Sequence, residues 1–301
     1  MFTPRAQNPG LAVGFMLTAC AFIAASTLMA KLAGTARLGD PLHPLQVSHG
    51  RFLFAWILIA STAAAMRLRF ERPNLRLHAL RTLGGWVGIS LMFAAVTYIP
   101  MADATAISFL NPVFAMILAI PLLGEKVGPI RWSAAAIALL GALILLRPTP
   151  ASFQPAALLA LGAALAMGIE ITIIKLLSRH EGPLQILFIN NSFGLIIATV
   201  AVLPFWVMPT PAQWAALAGV GVFMACAQAA YVNAMARAEA SFVVPFAYAT
   251  LIFAALFDVI VFRTRPDAIS ALGATIIIAG ATLLAWREAR LEKRQPATVP
   301  R

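Results

Sequence analysis

The sequence predicts an all-α integral membrane protein of ten transmembrane helices, arranged as two inverted five-helix repeats. Three observations carry this. Of the 301 residues, 61% are hydrophobic and only 11% charged, against about 45–50% and about 25% in an ordinary soluble domain. Apolar runs recur along the whole chain, each near the length of about 20 residues that a bilayer core requires. Short identities also repeat at a constant offset of 139 residues, the mark of internal duplication.

The spans fall at roughly 10–33, 42–64, 80–99, 101–123, 131–146, 155–177, 183–206, 212–236, 240–262 and 267–286. The first contains Ala24-Ala25-Ser26, which resembles a leader cleavage site. Its apolar stretch continues to Ala33, past the about 7–15 residues of a secretory signal, and it is read as a retained helix. Little more than Ile99-Pro100-Met101 separates the third span from the fourth.

Lys and Arg total 22 against 11 Asp and Glu, a net charge of +11. In a soluble chain that excess would point to nucleic acid. Here the cations sit mainly in short connections, as the positive-inside bias requires. One side takes Arg5, Arg67, Arg69, Arg72, Arg76, Arg81, Lys126, Arg131, Arg179, Arg237 and the basic tail. The other takes only Arg37, Arg147, Arg263 and Arg265. Both termini are therefore expected in the cytoplasm, the membrane being the bacterial inner one.

Several classes drop out. Cys20 and Cys226 lie inside apolar runs, which excludes a disulfide scaffold. No connection exceeds about 16 residues, too few for an ATP-hydrolysing domain, and no phosphate loop is present. The four histidines are scattered and no H-E-x-x-H or G-x-S-x-G occurs, which argues against a membrane enzyme. No motif calls for a cofactor, a metal or an obligate ATPase. The expected partners are a small-molecule solute and lipid.

The repeat pairs Pro44-Leu45-Gln46-Val47 with Pro183-Leu184-Gln185-Ile186, Phe114-Ala115 with Phe253-Ala254, and Gly141-Ala142 with Gly280-Ala281. Lys31-Leu32 meets Lys175-Leu176 at a slightly different offset, 144. The units are 1–150 and 151–301. Five helices per unit is an odd number, so the second must enter the membrane inverted. Inverted repeats serve secondary transport, because exchanging the conformations of the halves exchanges the side of access. A non-transporting scaffold has no need of that device.

Asn111-Pro112-Val113-Phe114-Ala115, running to Leu123-Gly124-Glu125, resembles the fourth-helix signature of the drug/metabolite transporter superfamily, EamA type. Pro44 to Leu53 and the Gly141 helix resemble its second and fifth helices. Arg263-Thr264-Arg265 departs from the pattern where a second Leu-Gly-Glu would stand. The resemblance implies five-plus-five topology and export of small metabolites, commonly amino acids, by alternating access. Within the superfamily the chain looks like the branch that exports aromatic amino acids. The alternative is export of other metabolites or drugs.

In such transporters the solute site lies near the midplane, beside interrupted helices. Pro112 and Pro245 are the candidate hinges, each freeing a carbonyl one turn back, at Ser108 and Ser241. Trp86, Ser90 and Phe93 share a face of the third span, with Gln228 and Tyr231 on the eighth. Ser108 and Asn111 on the fourth and Phe246 and Thr250 on the ninth complete the candidate cavity. Interhelical packing accounts for mixed faces of this kind as well. Under the 139 offset Ser90 maps to Ala229, so the polar stripes of the third and eighth spans differ by one residue.

Charges inside a span are costly and informative. Glu170 is the carboxylate nearest the midplane, a candidate for a proton, a substrate ammonium or an ion pair with Arg51. Lys31 and Lys175 are expected to reach headgroups by snorkelling. Gly10-x-x-x-Gly14 and Gly84-x-x-x-Gly88 are expected to allow close helix approach.

Overall fold

In the computed structural model, residues 7–34, 36–67, 72–96, 98, 101–147, 155, 157–262 and 268–294 are described. These residues form helices and connections, with no strand among them. In chain order they are α1 (Pro9–Ala33), α2 (Pro44–Ala65), α3 (Leu75–Val96), α4 (Met101–Ser108), α5 (Asn111–Leu123) and α6 (Pro129–Leu146). There follow α7 (Ala157–Ser178), α8 (Pro183–Val202), α9 (Pro211–Met235), α10 (Ala240–Val243), α11 (Ala249–Phe262) and α12 (Ala268–Arg294).

Six segments among the described residues are long and apolar enough to cross a membrane. They are Pro9–Ala33, Pro44–Ala65, Ala157–Ser178, Pro183–Phe205, Pro211–Met235 and Ala240–Val261. Asn111–Leu123, Pro129–Ile144 and Ala271–Trp286 are shorter apolar helices.

Proline sets where many of these helices begin. Pro9, Pro44, Pro129, Pro183 and Pro211 each occupy the first helical turn, where the missing N–H costs nothing and φ is already helical. Side chains cap the freed donors. Asn8 Oδ1 accepts from Leu11 N at 2.9 Å, and Thr210 with Gln213 forms a reciprocal capping box on α9. Gly124 closes α5 with φ +69°, a conformation that suits glycine.

Four sequence expectations are corrected. α3 begins at Leu75, about a turn and a half before the expected 80, so Arg81 lies well inside the helix and not at its expected cytoplasmic end, and is 2% exposed. The expected fourth span is two helices, α4 and α5, because Pro112 stands in the first turn of α5 and restarts the chain. The ninth divides likewise: Pro245 falls in a 3-10 turn, Val244–Tyr248, between α10 and α11. Gly14 faces open space, with nothing among the described residues within 4 Å of an added Cβ, so its GxxxG makes no close helix contact within the described part of the chain. The second motif does: Gly84 and Gly88 of α3 meet Ala166 and Met167 of α7.

Alanine and glycine line the seams between helices, as expected where backbones approach closely. α1 packs along α9, α3 along α7, and α6 along α12, while α2 lies against both α8 and α9. Within the α6–α12 seam the contacts are reciprocal. An added Cβ at Gly141 would sit 2.8 Å from Gly273 O and from Ile277 N. One at Gly280 would sit 3.0 Å from Ala134 O and from Ala138 N. Each pair maps onto the other by the 139 offset.

Candidate functional site

A cavity of about 390 Å³ opens between α1, α2, α3, α7, α8 and α9, within the range of about 300–1,000 Å³ typical of small-molecule sites. α1 supplies Ser26 and Thr27. α2 supplies Ser48, Arg51 and Phe52, and α3 supplies Arg81, Thr82, Gly85, Trp86 and Ile89. Glu170 enters from α7, Asn190 and Gly194 from α8, and Met224 and Gln228 from α9.

Its charge is concentrated at one place. Glu170 interacts electrostatically with both Arg81 and Arg51. Glu170 Oε1 lies 3.8 Å from Arg81 Nε, an ion pair but beyond hydrogen-bond length. The Glu170 side chain is 28% exposed while that of Arg81 is 3% exposed, so the carboxylate presents an open face. Arg51 Nε, Arg81 Nε and Tyr231 Oη are buried and have no hydrogen-bond partner among the described residues. The Arg51 guanidinium stands 5.0 Å over the Phe52 ring. Two cations therefore share one anion at a depth where charge is expensive.

Glycine makes room for this arrangement. A Cβ at Gly85 would come within 3.1 Å of Glu170 Oε2. One at Gly194 would lie 2.2 Å from Phe52 Cε1. Behind the lining, Asn191 Nδ2 donates to Gln228 Oε1 at 2.9 Å and fixes the Gln228 amide.

Trp86, Glu170, Gln228 and Arg51 thus line one cavity. The other expected residues stand elsewhere. Ser108, Asn111, Tyr231, Phe246 and Thr250 are not in its wall, and the side chains of Ser90 and Phe93 lie outside the described residues. The carbonyl that Pro112 frees at Ser108 is taken by Asn111 Nδ2 at 2.9 Å, so that hinge leaves no open acceptor there. Phe246 O accepts from Cys20 Sγ at 3.6 Å.

Sequence reasoning missed Arg81, Thr82, Gly85 and Asn190. Asn190 carried a signal, since it is Arg51 shifted by 139. Arg81 had none once it was counted among the cytoplasmic cations at the edge of the third span.

One end of the bundle is held by charged ties. Glu125 accepts from Ala240 N at 2.8 Å and Ser241 N at 2.9 Å, capping α10. Glu181 accepts from Asn74 N at 2.8 Å and Gln185 Nε2 at 2.7 Å, and meets His78 Nε2 at 2.9 Å. Arg131 pairs with Glu239. Lys175 does not snorkel. It is 3% exposed and donates to Met235 O, at 2.6 Å, and to Ala238 O.

Comparison with known proteins places this architecture. The profile of the EamA-like transporter family matches residues 10–147 and again 154–286. A riboflavin transporter of Vibrio cholerae is 35% identical over 224 residues, 72% of this chain and 74% of the relative. An S-adenosylmethionine uptake transporter of Rickettsia prowazekii is 26% identical over 254 residues, 83% and 86%. A crystallised protein aligns with a TM-score of 0.78 at 19% identity, over 95% of this chain and all of its own. The two transporter relatives are named for riboflavin and S-adenosylmethionine, not for amino acids.

Proposed function

This chain belongs to the EamA-like transporter family, and on that premise we propose that it carries riboflavin across the membrane by alternating access. It is an integral membrane transporter. The solute reading replaces the expected amino acid export and falls within the broader alternative of a non-amino-acid metabolite.

The observation that carries it is the composition of the cavity wall. Trp86 and Phe52 offer flat apolar surface for a fused aromatic ring system. Asn190, Gln228, Thr82 and Ser48 offer hydrogen-bonding groups for a polyhydroxyl chain. The surplus of positive charge from Arg51 and Arg81 over Glu170 disfavours a cationic sulfonium such as S-adenosylmethionine. Similarity to a relative named for riboflavin supports the same choice.

The reading includes ten crossings in two inverted units, 1–150 and 151–301, with both termini in the cytoplasm. The reciprocal Gly141 and Gly280 contacts support that symmetry. The α2–α9 seam supports alternating access. Gly221 there fits against Arg51 and Ala55. The positions equivalent by the 139 offset, Thr82, Asn190 and Gly194, instead all border the cavity. Transport exchanges which of these two seams is closed.

The test is uptake of radiolabelled riboflavin into proteoliposomes holding the purified chain, beside S-adenosylmethionine and tryptophan. Saturable riboflavin flux with neither of the others is expected. Flux of either other solute without riboflavin overturns the assignment.

A further inference from the structure

We infer that Asn191 is a positioning residue: without bordering the cavity itself, it fixes Gln228 as a hydrogen-bond donor to the hydroxyl chain of the solute. The inference rests on the riboflavin reading and adds which hydrogen bonds select the chain, and in which direction they run.

Asn191 is 0% exposed. Its Nδ2 donates to Leu187 O at 2.8 Å and to Gln228 Oε1 at 2.9 Å. The Leu187 carbonyl can only accept, so the Asn191 amide cannot be reversed, and a reversed Gln228 would then set donor against donor. Gln228 is partly exposed and lines the cavity, where the N–H pair of its Nε2 is what it has left to offer. The hold carries a cost. Asn191 Oδ1 is sealed without a partner among the described residues, a loss that an apolar side chain would avoid.

Other polar groups of the wall have the opposite polarity. Ser26 Oγ donates to Val220 O at 2.9 Å, Thr27 Oγ1 to Ile23 O at 2.9 Å, and Thr82 Oγ1 to His78 O at 3.0 Å. All three line the cavity, and each has spent its one hydrogen, so toward a solute it only accepts. A hydroxyl accepts and donates at once. A chain of solute hydroxyls therefore takes hydrogen from Gln228 and passes its own to these oxygens, in bonds that run one way and strengthen one another. An ammonium cannot accept from Gln228, and a carboxylate cannot give to the wall hydroxyls. Under the 139 offset Asn191 and Gln228 correspond to Phe52 and Ile89, which line the cavity and are apolar. One half of the repeat thus supplies apolar wall for the ring, and the other supplies the donor for the chain.

The experiment titrates the purified protein in detergent with riboflavin and with lumiflavin, which keeps the ring and lacks the hydroxyl chain, and reads Kd from flavin fluorescence. Gln228→Met should weaken riboflavin by about threefold to tenfold, the worth of one hydrogen bond, and leave lumiflavin unchanged. Asn191→Leu should weaken riboflavin alone, and adding it to Gln228→Met should cost nothing further. Gln228→Glu keeps the oxygen that Asn191 holds but exchanges the donor for an acceptor, and should weaken riboflavin at least as much as Gln228→Met. Unchanged riboflavin affinity in either Gln228 variant, or equal weakening of both flavins in both, overturns the donor while leaving riboflavin transport standing. Loss of lumiflavin along with riboflavin in Asn191→Leu, or losses that multiply in the double variant, overturns the positioning role. A wild type that binds no riboflavin overturns the functional reading, and the inference with it.

Discussion

Gly221 of α9 meets the backbone of Arg51 in α2 so closely that an added Cβ would lie 2.9 Å from the Arg51 carbonyl oxygen. The same Cβ would lie 2.8 Å from Ala55 N and 2.5 Å from Phe54 Cβ. In the proposed alternating-access cycle this seam is the closed counterpart of the cavity, and its backbone approach leaves no room for a side chain.

Gly221→Ala therefore forces α2 and α9 apart. Overpacking of this kind costs about 1–3 kcal/mol. A lowered melting temperature in detergent, with reduced riboflavin flux, is expected. An unchanged melting temperature would show that the seam is looser than its backbone distances.

The exchange of seams predicts a contact that is open here. With Cys20 and Cys226 replaced by Ser, Thr82→Cys and Asn190→Cys should cross-link under mild oxidant as α3 closes on α8. Flux should stop on oxidation and return on reduction. Failure of the pair to cross-link in functional protein would argue against closure at this place.

Gly194 gives a pairwise test. Its added Cβ would sit 2.2 Å from the Phe52 ring, so Gly194→Ala should destabilise by about 1–3 kcal/mol. Gly194→Ala with Phe52→Leu should recover most of that loss in thermal melts, because the two residues share one contact.

Glu125 holds the start of α10 through two backbone N–H groups. Glu125→Ala leaves both donors without that acceptor, at about 1–3 kcal/mol for a buried unsatisfied group. Glu125→Gln keeps one acceptor oxygen and should lose about half as much. Melting temperatures of the two variants rank the effect.

The cation distribution fixes the sidedness test. Single cysteines at Gly182, between α7 and α8, and at Lys126, between α5 and α6, should resist a membrane-impermeant thiol reagent in intact cells. One at Gly39, between α1 and α2, should react. The reverse pattern would invert the molecule.

The helical class and the family were legible in the sequence because both rest on residue identity and apolar run length. The breaks at Pro112 and Pro245 were legible too, though their effect was larger than a bend. What stayed hidden was which charges leave water. Arg81 and Lys175 read as cytoplasmic-edge or headgroup residues because they lie within two turns of helix ends. Their burial depends on neighbours distant in sequence: Glu170 across α7 for one, the carbonyls of Met235 and Ala238 for the other. Glu125 was legible as part of a motif, but its role as a cap for α10 was not, since its partners lie 115 and 116 residues away.

The two carboxylate caps also bear on how the chain is made. Asn74, at the threshold of α3, gives its N–H to Glu181, a residue 107 positions later. At a synthesis rate of about 5–20 residues per second, α3 spends about 5–20 s in the membrane before that acceptor leaves the ribosome. Glu125 meanwhile waits for the α10 amides it will hold. The start of α3 and the end of α5 thus each wait for a partner from the second half, so these two ties close only after translation has passed α10.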